Sequence, residues 1–135
     1  VIFTGDIAGA KIHNGPVLPA CPPPDIDLEK WEDSLKILEK ENPKKMYLTH
    51  FGEHINIKSH IDELRLALSD WSLWINEKRK IFLDDEILTK KFNEYVYKKM
   101  QAAKINDELI NQYYAANPPY MSVTGLKRYW EKNDK

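Results

Sequence analysis

The chain has 135 residues, 42% hydrophobic and 30% charged, with 20 basic against 21 acidic side chains and a net charge of -1. That balance suits a globular protein and supplies no overall positive field for a polyanion, so nucleic-acid binding is not expected. Charges or prolines interrupt every apolar run before the ~18 to 20 residues a membrane-crossing helix needs, and the single cysteine, Cys21, has no internal disulfide partner, so a reducing cytoplasm and no membrane are expected.

Val1-Ile2-Phe3-Thr4 is short, apolar and β-prone, and Gly5-Asp6 should end it, as a buried strand of an α/β sheet ends. A strand core with no turn or partner before it reads as a fragment that begins inside a fold. A second short strand is expected near Ala10 to His13. Residues Pro16 to Pro24 hold five of the eight prolines and must be an extended loop. Asp27 is placed to cap a helix carrying Leu28, Trp31, Leu35 and Leu38, which Asn42-Pro43 ends. Met46 to Thr49 is the next buried strand, ending at His50-Phe51-Gly52.

From about Glu53 the spacing is helical throughout. Ile61, Leu64, Leu68, Trp71 and Ile75 recur at three and four residues, and Leu66, Leu73 and Trp74 widen the face, which predicts a long helix buried on more than one side. Asp84 can cap a helix bearing Leu88, Phe92, Tyr95 and Met100; Asn106 or Asp107 can open another with Ile110, Tyr113 and Tyr114. After Asn117-Pro118-Pro119, Ser122 is expected to cap a last helix with Leu126, Tyr129 and Trp130. The expected division is 1–56, strand and loop, followed by a helical part, 57–135.

Gly5-Asp6 and Thr49-His50-Phe51-Gly52 each put a potential metal ligand directly after an apolar strand, at the sheet edge where α/β proteins build their sites. Thr4-Gly5-Asp6-Ile7-Ala8-Gly9, then Pro22-Pro23-Pro24-Asp25-Ile26-Asp27, then Leu48 to Gly52, and finally Tyr113 to Asn117 and Met121 to Trp130, resemble in order the C-terminal half of a metallo-β-lactamase-fold hydrolase with its terminal helices. The resemblance implies an α/β fold, half of an αββα sandwich followed by a mostly helical subdomain. It implies Asp6 as a carboxylate bridging two zinc or iron ions and His50 as a ligand to one of them, with metal-bound hydroxide attacking a small-molecule substrate.

The ligands that the family carries ahead of its Gly-Asp strand are missing from this sequence. The chain alone is therefore expected to be inactive, completed either by a missing N-terminal half or by another chain. His13 and His54 are candidates for the surroundings of the site, and Trp71, Tyr113, Tyr120 and Arg128 for substrate contact. Each also has a plainer reading: loop histidines, aromatic residues packed in a core, and a solvated basic face. His60, at the start of the long helix, reads as structural. The competing function is a non-catalytic module whose helices from Ile57 onward serve dimerisation or docking, with a homodimer as one form.

Overall fold

The computed structural model of the chain describes all but residues 1, 13–14, 21–25, 51 and 135; for residues 2, 3, 5, 6, 49, 50 and 52–54 it describes the backbone alone. In chain order the elements are β1 (Ile2–Ala10), α1 (Leu28–Glu41), β2 (Met46–His50), β3 (Gly52–His54), α2 (Ile57–Lys78), α3 (Asp85–Ala102), α4 (Asp107–Ala116) and α5 (Pro119–Asn133). The described residues fall into two compact units. One holds residues up to Ala20 and from Asp27 to Asp70, and the other those from Trp71 onward together with Ile26.

In the first unit β1 and β2 run parallel with α1 as the crossover, and β3 returns antiparallel to β2, giving one sheet of order β1-β2-β3. Helix α1 begins where the sequence places it. The Asp27 carboxylate accepts the Lys30 amide at 3.0 Å, and Asn42 ends the helix in the left-handed region with φ 43°. Leu35 and Leu38 of α1 are buried with Met46 and Leu48 of β2 and Ile61 and Leu64 of α2. On the edge of this core, Trp31 donates its indole N–H to the Ile7 carbonyl at 2.7 Å.

Strand β1 does not stop at Gly5-Asp6. Gly5 pairs with Leu48 and the next pair is Ala10 with His50, so residues 6–9 pass a single β2 residue, Thr49, in an irregular stretch. Gly9 makes this possible: its φ is +74°, and a Cβ there would lie 2.5 Å from the Leu18 carbonyl oxygen. Ala10 then forms an isolated bridge to Leu18 in place of a second strand.

The expected fold class, an α/β chain forming half of an αββα sandwich, is corrected here. Such a sandwich stacks two sheets between helices, whereas the described residues hold one three-stranded sheet and five helices. The physical reason is the spacing of apolar residues. Beyond Ile57 they recur at helical intervals, leaving no alternating segment from which a second sheet could be built. No described helix is long and apolar enough to cross a membrane.

In the second unit Leu88, Phe92, Ile110, Tyr113, Val123 and Leu126 are all buried. Asp84 caps α3, accepting the amides of Glu86 and Ile87, and Asn106 caps α4, accepting that of Leu109. Trp71 meets Phe92 edge-on at 5.0 Å, Trp74 stacks on Tyr95 at 5.2 Å, and the Lys99 ammonium lies 5.1 Å from the Tyr95 ring.

Two helix expectations change. Helix α5 starts at Pro119, whose fixed φ and missing N–H need no side-chain cap, so Ser122 lies inside the helix, fully buried, with no hydrogen-bond partner for its hydroxyl among the described residues. Leu66 and Leu73 are 74% and 60% exposed, so α2 keeps a wet face rather than being buried on several sides.

Candidate functional site

The two residues expected to hold metal lie on neighbouring strands. Asp6 is one residue past the Gly5–Leu48 pair, within β1 rather than at its tip, and His50 closes β2 opposite Ala10. Their side chains, like that of His54 at the end of β3, fall outside the described residues, as does His13 entirely. A carboxylate and an imidazole would supply two of the four ligands a closed zinc site uses. Among the described residues no three His, Cys, Asp or Glu side chains converge as a metal-binding group.

His60 is structural, as its position suggests. It is buried, and its Nε2–H donates to the Ala8 carbonyl at 2.7 Å, tying α2 to β1. Close by, the Glu63 carboxylate accepts the Val17 amide at 2.6 Å and holds the proline-rich loop to the same helix.

Of the residues expected at a substrate, Trp71 and Tyr113 sit in the core of the second unit, and Arg128 is exposed on α5. Tyr120 lines an open cleft of about 550 Å³ between the first turns of α3 and α5, with Glu86, Thr89, Lys90, Asn93 and Pro119. Asp85 on its rim pairs with Lys127, which also approaches Glu131 at 3.8 Å. On α4, burial, and after it the neighbouring Tyr97, pushes the Tyr114 phenol up to about 12.

A second surface escaped sequence reading. Between α2 and α3 the chain runs Lys78-Arg79-Lys80-Ile81-Phe82-Leu83-Asp84-Asp85-Glu86: three cations, three apolar residues, three anions. Folding sorts them. Phe82 is half-buried beneath the Lys91 ammonium, 6.0 Å from its ring, whereas Ile81 and Leu83 on either side are 60% and 79% exposed, and Ile87 is 49% exposed.

Arg79 turns inward to Asp134 at 2.7 Å and to Asn76, and Asp84 is engaged as the α3 cap. Lys80 and Glu86 remain exposed, with no ion pair among the described residues. The signal was present as a charge-apolar-charge run, but only the fold shows which of its side chains reach solvent.

The chain matches no protein-family model, no characterised protein and no solved structure. The resemblance to metallo-β-lactamase-fold hydrolases is therefore corrected as well: no family model supports it, and the one small sheet and five helices among the described residues are not half of that sandwich.

Proposed function

We propose that the chain is a non-catalytic docking module whose contact surface is the corner between α2 and α3. The observation that carries this reading is the crowding of Ile81, Leu83 and Ile87, all at least 49% exposed, within seven residues of one turn. Single exposed apolar residues are ordinary, but several side by side in the chain, around a buried Arg79 and a half-buried Phe82, leave apolar area in water that a partner would remove. Phe82 and Arg79 both turn into the unit and fix the turn between them. Metal-dependent hydrolysis drew its support from the family resemblance, and no described side-chain group adds to it.

Replacing Leu83 or Ile81 by serine and following urea unfolding at low protein concentration tests the reading. Docking residues contribute nothing to the fold of the lone chain, so stability should stay within ~0.5 kcal/mol. A loss above about 1.5 kcal/mol would make them part of the chain's own core and end the docking reading.

A further inference from the structure

We propose that the cleft between α3 and α5 is a binding site for a neutral carbohydrate, a pyranose ring laid against Tyr120. The cleft belongs to the second unit alone and is walled by Glu86, Thr89, Lys90 and Asn93 of α3 and by Tyr120 and Thr124 of α5. Its volume of about 550 Å³ falls within the range of small-ligand sites.

The wall selects the class of ligand by exclusion. An anion would meet the Glu86 carboxylate and a cation the Lys90 ammonium, both exposed, while Asp85 on the rim is already held by Lys127. The charges of Glu86 and Lys90 cancel, so the site offers no sign to a charged ligand. A wholly apolar ligand would cover Thr89 and Asn93 and leave a hydroxyl and an amide unpaired. A peptide brings a ladder of backbone groups, and two helices whose backbones bond within themselves give it no edge to pair with.

What fits is a neutral ligand with many hydroxyls and one apolar face. A sugar hydroxyl both donates and accepts, and the wall matches it: Glu86 accepts, Lys90 donates, and Thr89 and Asn93 can do both. The Thr124 hydroxyl gives its proton to the Tyr120 carbonyl at 2.9 Å and can still accept. Tyr120, 59% exposed in the first turn of α5, supplies an aromatic ring for the C–H face of the sugar and a phenol for its hydroxyls. A cleft this open orders little and buries little, so binding is weak, of roughly millimolar order.

NMR titration of the isotope-labelled full chain with the methyl glycosides of glucose, galactose and N-acetylglucosamine tests this. The expected result is saturable shifts of the Thr89, Asn93, Tyr120 and Thr124 amides with at least one glycoside and none with sorbitol, which has the hydroxyls without the ring. Tyr120→Ala should weaken binding about tenfold and Tyr120→Phe far less, because the ring carries the stacking. No shift with any of the glycosides overturns the inference, and so do shifts confined to other parts of the chain. Tighter binding of acetate or methylammonium at the same amides also overturns it, since the site would then read charge. Circular dichroism checks that each variant is folded; should Tyr120→Ala unfold, the titration of the unaltered chain decides.

Discussion

The imidazole of His60 donates to the carbonyl of Ala8 at 2.7 Å across 52 residues of sequence. This one bond joins the first turn of α2 to the irregular end of β1, where the strand ladder itself is interrupted between Gly5 and Ala10. Removing the ring by His60→Ala leaves a buried carbonyl unpaired and a cavity beside it. We expect a loss of about 2 to 4 kcal/mol in urea unfolding. A loss below about 1 kcal/mol would mean that the bond does not hold β1 in place.

Helix capping provides a cleaner test of local structure. The Asp84 carboxylate accepts two amides at the start of α3, at 2.9 and 3.1 Å. Asp84→Ala should cost about 1 kcal/mol and Asp84→Asn much less, since an amide oxygen can still accept. Equal losses in the two variants, read from thermal melts, would assign Asp84 a role other than capping.

The pH dependence has a defined sign at each end of the scale. The Tyr114 phenol, raised by burial to about 12 from its ordinary 10.0, favours its neutral form in the folded chain. Its contribution is full below pH 10 and is lost as pH rises towards 12. Tyr97 is held up as well, first by its hydrogen bond to Asp107, so absorbance titration should show a late phenol step whose amplitude falls by one tyrosine in Tyr114→Phe; an unchanged amplitude would assign the late step to other phenols.

At the acid end Asp27 is held below its ordinary 3.8, first by the Lys30 amide. Its stabilisation is present above that value and is lost as pH falls beneath it.

Asp6 and His50 would supply at most two ligands where a closed zinc site uses four. After desalting, the chain should retain no stoichiometric zinc or iron in elemental analysis. One equivalent of metal that disappears in Asp6→Asn or His50→Ala would contradict this and place a metal centre between β1 and β2.

Where one local rule decided the outcome, the sequence was a good guide. Asp27, Asp84 and Asn106 cap the helices their positions predict, Asn42 ends α1 in the left-handed region, and Met46 begins a strand. Competing rules misled it. Gly5-Asp6 reads as a strand end, yet the chain bulges at that point and continues as strand to Ala10, with Gly9 accepting the conformation that closes it.

Ser122 is a good cap in isolation, but Pro119 starts the helix earlier without needing one. Leu66 and Leu73 count as core by hydrophobicity and sit in water because the buried stripe of α2 is already filled by Ile61, Leu64 and Ile75. The corner was invisible for a related reason. Composition places Phe82 and Ile81 alike, and only packing turns one inward and the other out.

The most direct test of the account is the stability of Leu83→Ser in urea at low protein concentration. Docking at the corner predicts unfolding within ~0.5 kcal/mol of the parent chain. A loss above about 1.5 kcal/mol would place Leu83 in the chain's own core and contradict it.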